Sequence, residues 1–197
     1  MHDPSNGYQR IAETFTKIRG VQKDGVGTAA VRAWARKLEK GDAVLDLGCG
    51  TGLPLTAVLV EEGLNVSAID ASEAMVKAFK HNFPTLPVEC KAAELSDFFE
   101  MKYNGILAWG LIFLLKEESQ KVLIEKIAKA LVPGGRVLFT SPEQRVEWAD
   151  VLTGEPSLSL GRKTYCELMA GFGLEPEETF GDEGGNYYYS ARKKNTG

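Results

Sequence analysis

The residues with the clearest chemical potential sit in one string, Val44-Leu45-Asp46-Leu47-Gly48-Cys49-Gly50-Thr51-Gly52. Val44, Leu45 and Leu47 read as a buried strand. Gly48, Gly50 and Gly52 then make a turn that tolerates positive φ and lets a ligand approach the main chain with no Cβ in the way. A turn of this kind before a helix offers backbone N–H groups to a ligand, and Pro54 suits the first turn of the helix that follows. A dinucleotide loop would read G-x-G-x-x-G. Here Leu53 takes the place of its third glycine, and the glycine falls at 52. Asp46 sets a carboxylate beside the loop, which suits a cationic group better than a pyrophosphate. Asp70 closes the next apolar run, 18 residues past Gly52, near the ~20-residue spacing of acids that hold a ribose diol. The competing role for Asp70 is to cap a helix starting near Ser72.

Other chemistry is sparse. His2 and His81 are the only histidines, and neither sits where a general base is needed. There is no HExxH, CxxC or clustered His/Cys set, so no metal is expected. Glu117, Glu118 and Glu125 read as the charged face of a helix. Residues that could shape a second pocket, for a reacting partner, are Tyr8, Phe113, Ser141, Glu143, Trp148, Tyr165, Tyr187 and Tyr188. Among them tyrosine or Glu143 could take a proton from a hydroxyl or amine.

The elements that must position these groups follow from periodicity. Apolar residues at helical spacing over 8–19 predict a helix stopped by Gly20, and a second is expected near 28–39. From 43 onward strands near 43–48, 65–70, 87–92, 103–109 and 135–141 alternate with helices near 53–62, 72–82, 116–131 and 161–171, the pattern of βαβ units on a parallel sheet. Leu174 to Phe180 and Tyr187 to Arg192 flank a Gly/Asp/Asn-rich turn and predict an antiparallel hairpin.

Bulk properties exclude several classes. The 197 residues suit one domain. A net charge of −4 and only short basic clusters argue against nucleic acid held through phosphates. Three cysteines without paired spacing read as free thiols in a reducing compartment. The N-terminus does not read as a secretory signal, and no apolar run approaches the ~20 residues of a membrane span. A cytoplasmic protein, monomer or homodimer, is expected.

As a whole, the 44–52 string closely resembles motif I of class I S-adenosylmethionine (SAM) dependent methyltransferases, and the resemblance covers about residues 40 to 141. Leu131-Val132-Pro133-Gly134-Gly135 is similar to the family's turn before strand five, and the run from Tyr103 to Gly110 to its motif IV. The resemblance implies a doubly wound α/β fold, a seven-stranded mostly parallel sheet in the order 3-2-1-4-5-7-6 with helices on both faces. It implies one methyltransferase domain over 1–197, made of a helical cap (1–40), a SAM-binding core (41–142), and an acceptor-side loop, helix and closing hairpin (143–197).

It also implies SAM as cofactor and S-adenosylhomocysteine (SAH) as product. The cofactor would be held by Asp46, Gly48, Cys49, Gly50 and Gly52 at the methionyl end, and by Asp70, Ala71 and Met75 at the ribose and adenine. Trp109 and Gly110 would flank the sulfonium. The family commonly places Asp-Ala after strand three, whereas this chain has Ala92-Ala93. Ala93 then serves by its backbone, and Glu94 is the candidate for the missing acid. In many small relatives a leading helix closes over the cofactor, and Tyr8 and Arg19 resemble that arrangement, with Arg19 on the methionyl carboxylate.

The reading is methyl transfer to an O, N or S atom of a small molecule, driven mainly by alignment and desolvation. Tyr8, Trp109, Glu143 and Tyr187 are the catalytic candidates. The alternatives are a SAM-binding sensor or partner subunit without catalysis and, further off, a nicotinamide-dependent oxidoreductase.

Overall fold

A computed structural model describes residues 3–19 and 25–195, with side chains at 3–15 and 25–195. Strands β1 (Ala43–Leu47), β2 (Asn65–Asp70), β3 (Val88–Cys90), β4 (Tyr103–Ala108) and β5 (Leu131–Thr140) run parallel. With β6 (Arg145–Ala149) and β7 (Pro156–Leu160) set apart, β8 (Leu174–Gly181) and β9 (Tyr187–Lys193) close the sheet antiparallel. The order is β3-β2-β1-β4-β5-β9-β8. Counted within this sheet alone it is the expected 3-2-1-4-5-7-6. Successive strands build outward from β1 on one side and from β4 on the other, so the β1/β4 boundary is the switch point where ligands of open α/β sheets bind.

Both faces of the central strands are buried, which is why they read as continuous apolar runs. One face packs Leu45, Leu47 and Ile106 under helices α5 (Glu117–Ala130) and α6 (Arg162–Gly171). The other packs Val44, Val66 and Leu107 under α2 (Thr28–Ala35) and α3 (Leu55–Glu61). Helix α1 (Tyr8–Arg19) lies against α4 (Glu73–Asn82). No helix among the described residues is long and apolar enough to cross a membrane.

Three local expectations need correction. Helix α2 ends at Ala35, with a turn at 36–37 and a bend at 38. Pro54 is the residue before α3 rather than part of its first turn. The stretch after Glu143 is no plain loop, because β6 and β7 pair there as a two-stranded sheet. Val146 and Trp148 do alternate, but their cross-strand partners are Ser159 and Ser157. Both strands are only five residues long, and Val146, Trp148, Leu158 and Leu160 each face a polar or charged residue, so the alternation builds no continuous apolar face to read.

The buried polar hub beneath this hairpin makes a stability prediction. Tyr165 is fully buried; its Oη donates to Gln120 Oε1 at 2.6 Å and accepts the Leu160 N–H at 3.1 Å. Gln120 Nε2 in turn donates to the carbonyls of Leu115 and Leu158. Tyr165→Phe leaves a buried amide and a buried carbonyl oxygen unmet. The expected loss is ~2–4 kcal/mol, read as a lower urea midpoint with an unchanged m-value. An unchanged midpoint would mean the hub is not coupled to folding.

Candidate functional site

Turns at the carboxyl ends of β1, β2 and β4 open into a cavity of about 790 Å³, within the ~300–1,000 Å³ range of small-molecule sites. One half is walled by Asp46, Gly48, Cys49, Gly50, Asp70, Ala71, Met75, Ala93 and Glu94, the other by Tyr8, Phe113, Ser141, Glu143, Trp148 and Tyr187. Trp109 and Gly110 follow β4, between β1 and β5 in the sheet, and join the halves.

The glycine turn works differently from expectation. The amides of Gly48 and Cys49 both donate to the Ile69 carbonyl (2.8 and 3.1 Å), Gly50 donates to Asp70 Oδ2 (2.8 Å), and Gly52 to the Cys49 carbonyl (2.9 Å). These N–H groups stitch the loop to β2 rather than standing ready for a ligand. What the loop offers is space. A Cβ on Gly50, at φ +56°, would meet only Phe15, at 3.7 Å. Gly52 lies outside the wall: at φ +81°, a Cβ there would clash with the Phe83 ring. Its role is to pass the chain beneath α4.

Asp70 joins two elements. Its Oδ2 takes the Gly50 amide and its Oδ1 takes the Ser72 amide, each at 2.8 Å. The cap of α4 is Ser72, whose Oγ accepts from the Met75 amide. Asp70 is therefore a tie between loop and helix, with a lone pair on each oxygen left for the cavity. Burial raises its pKa, opposed by the two amides.

Asp46 lies deeper, 4% exposed, and accepts a 2.6 Å bond from Thr56 Oγ1. Burial pushes its pKa up to about 7; the Thr56 bond opposes this and the Asp70 charge adds to it. Burial and the same two carboxylates push the Cys49 thiol well up.

At the far wall Ala92 and Ala93 are buried, and Glu94 Oε2 is buried with no hydrogen-bond partner. Lys126 Nζ pins this turn through the carbonyls of Glu94 (2.8 Å) and Ser96. An orphaned carboxylate oxygen beside a cavity calls for a donor from a ligand.

Trp109 is oriented by a relay: its Nε1 donates to Tyr188 Oη (3.0 Å), and Tyr188 donates to Asp182 Oδ2 (2.7 Å). Tyr188 and Tyr165 are fully buried and do not line the cavity, so neither is a pocket residue. On the opposite wall Tyr187 Oη lies 3.1 Å from Glu143 Oε1 and 2.9 Å from Thr179 Oγ1. Arg162 Nη1 stands 3.6 Å from the same Glu143 oxygen. Tyr8 Oη reaches Asp150 Oδ2 at 3.5 Å. Asp150 was not among the sequence candidates, and its turn, Asp150-Val151-Leu152-Thr153-Gly154, carries no catalytic signature. The Arg19 side chain lies outside the described residues.

A family model described as a methyltransferase domain matches residues 24–179. A Streptomyces cypemycin N-terminal methyltransferase is 32% identical over 138 residues, covering 68% of this chain and 56% of that protein. A ubiquinone biosynthesis O-methyltransferase from Idiomarina loihiensis is 30% identical over 112 residues, covering 54% of this chain and 45% of that protein. The chain thus spans about half the length of these curated relatives. Among solved structures, the magnesium protoporphyrin IX methyltransferase of Synechocystis PCC 6803 with bound SAH superposes with a TM-score of 0.77 at 16% identity, covering 98% of this chain and 100% of that one.

Proposed function

We propose that the chain, which belongs to the class I SAM-dependent methyltransferases, moves a methyl group from SAM to a nucleophilic atom of a small molecule held in the other half of the same cavity. The observation that carries this reading is the continuity of that cavity: one wall meets the needs of SAM and the facing wall is aromatic and acidic. The orphaned Glu94 Oε2 fits the adenine amino group, replacing the acid absent at Ala92. The open lone pairs of Asp70 fit a ribose diol, and buried Asp46 fits the methionyl ammonium. Met75 and the Ala93 backbone fit the two sides of the adenine, and Arg19 is proposed for the carboxylate. The fit does not depend on free loop amides, and Gly52 supports the loop without touching the ligand.

When bound, the cofactor supplies a methyl group activated by an adjacent sulfonium. The protein's contribution is to fix the distance and line of approach and to exclude water. Trp109 places an indole at the end of β4, where its face can gain cation–π energy from the sulfonium, and the Tyr188–Asp182 relay holds the ring in place. Tyr188→Phe deletes that support, so SAM affinity should fall about threefold to tenfold, the net worth of a hydrogen bond. Calorimetry reads this, and unchanged affinity would show that Trp109 needs no orienting partner.

The reading is tested by titrating the protein with SAM, SAH and NAD. Binding of the two adenosyl ligands but not NAD is expected, followed by transfer of labelled methyl groups to small acceptors. Binding of NAD alone would overturn the reading. A sensor without catalysis is not favoured, because the cavity extends well beyond the cofactor wall. Cys49, Cys90 and Cys166 are all free thiols, which supports a reducing, cytoplasmic setting.

A further inference from the structure

Charge in the acceptor half of the cavity is one-sided. Among the described residues its wall carries the carboxylates of Glu143, Asp150 and Asp182, while the single lysine of the whole wall, Lys91, lies at the Glu94 end beside Glu89. Asp182 is consumed by its own turn, accepting from the Gly184 and Asn186 amides, Asn186 Nδ2 and Tyr188 Oη. The other two are not.

Asp150 is only 9% exposed. Its Oδ1 is saturated by the amides of Leu152 and Thr153 and by Thr153 Oγ1, whereas among the described residues its Oδ2 has the 3.5 Å contact from Tyr8 alone. Glu143 Oε1 meets Tyr187 and, more distantly, Arg162, and among the described residues no bond is made to its Oε2. Asp150, nearly buried, gains from a cationic guest that its Oδ2 can bind, while the Glu143 side chain is 42% exposed and open to proton exchange.

One independent feature agrees. The Phe113 and Trp148 rings line the same wall 5.4 Å apart, and aromatic rings in a cavity wall suit a cationic guest.

We infer that the methyl acceptor is an amine bound as its ammonium ion, with Asp150 as the anchoring residue and Glu143 as the proton acceptor. This rests on the methyltransferase reading. Glu143 follows the end of β5, where Thr140 Oγ1 accepts from the Gly110 amide, and it lines the same cavity as Trp109 and Gly110. One proton passes from the ammonium to Glu143, freeing the nitrogen lone pair. That pair forms the N–C bond as the C–S bond breaks, and its electrons return to sulfur, giving SAH and a methylated ammonium. Alcohols lack the charge the wall selects, and carboxylates or phosphates are repelled by it.

The test uses matched probes: 2-phenylethylamine, 2-phenylethanol, 2-phenylethanethiol and phenylacetate, with tryptamine and tryptophol as a second skeleton. Each is titrated into SAH-loaded protein and assayed for label transfer from SAM. Amines should bind and react at least tenfold better than the matched alcohols and thiol, and phenylacetate should do neither. Asp150→Asn, which keeps an oxygen for the Leu152 and Thr153 amides, should raise KM for amines at least tenfold with kcat little changed. Glu143→Gln should lower kcat at least tenfold while SAH affinity stays as in the parent. Equal or better use of an alcohol, thiol or carboxylate would overturn the inference, as would no amine binding to protein that binds SAH. Failure to bind SAM and SAH at all would sink the cofactor reading instead.

Discussion

Replacing Asp70 with alanine should weaken SAM binding about 10²- to 10⁴-fold. The range follows from two hydrogen bonds between a carboxylate and ribose hydroxyls, each worth ~1.5–3 kcal/mol. The variant also strips the Gly50 and Ser72 amides of their acceptor, so the loop and the start of α4 lose their tie. The Gly50 amide borders the cavity, where water can replace the lost acceptor, whereas the Ser72 amide is buried, so that second effect should be ~1–3 kcal/mol, a fall in Tm of several degrees. The two effects are separable. Asp70→Asn keeps one acceptor oxygen and supplies an NH₂, so it should recover part of the melting temperature but little of the affinity. If Asp70→Ala melts lower yet binds SAM as the parent does, the acid is only a structural tie. Calorimetry beside a thermal melt distinguishes these outcomes.

The Asp70 case shows what was readable in the chain and what was not. A strand ending in Asp, 18 residues after a glycine turn, is a local pattern, and local patterns survive in sequence. The parallel sheet and its antiparallel ending were legible for the same reason, from βαβ alternation followed by two strands about a turn, while the strand order came only from the resemblance to the methyltransferases. The use of each loop amide was not. Whether Gly48, Cys49 and Gly50 point N–H groups at a ligand or at β2 depends on where Ile69 and Asp70 arrive from across the sheet.

Tyrosines misled for a related reason. Tyr165, Tyr187 and Tyr188 look alike in sequence, yet only Tyr187 reaches the cavity; the others bury a ring and satisfy the hydroxyl internally. Asp150 was invisible because its role comes from a turn joining two strands whose facing residues are serines on one side. Glu94 lay between these extremes. Its position one residue past Ala93 suggested a substitute acid, and its pinning by Lys126 from α5 is purely tertiary.

A pH effect of similar weight is expected at Asp46. In the empty protein burial holds this carboxyl at a pKa of about 7, and the neighbouring Asp70 charge contributes in the same direction. The residues facing it are Thr56, which opposes the rise, and Asp70. A ligand ammonium beside it would stabilise the ionised form and lower the pKa on binding. Binding then releases a proton below pH 7, and affinity must rise with pH until Asp46 is already ionised in the free protein. From pH 6 to pH 8 the gain should be about tenfold for SAH as well as SAM, since both carry the ammonium, followed by a plateau.

Folding stability should move the other way. A carboxyl whose pKa is raised in the folded state contributes stability that is fully present below its unfolded pKa, near 3.8, and is lost as pH rises through about 7. The difference amounts to ~4 kcal/mol across that window. Asp46→Asn stays neutral at every pH, so its affinity profile should be flat from 6 to 8 and its melting temperature should exceed the parent's most at pH 8. Opposite slopes of affinity and stability in the parent, both flattened in the variant, are the signature of a buried acid kept for a cation. Parallel slopes, or a parent profile as flat as the variant's, would mean that Asp46 is ionised or neutral throughout and does not receive the ammonium.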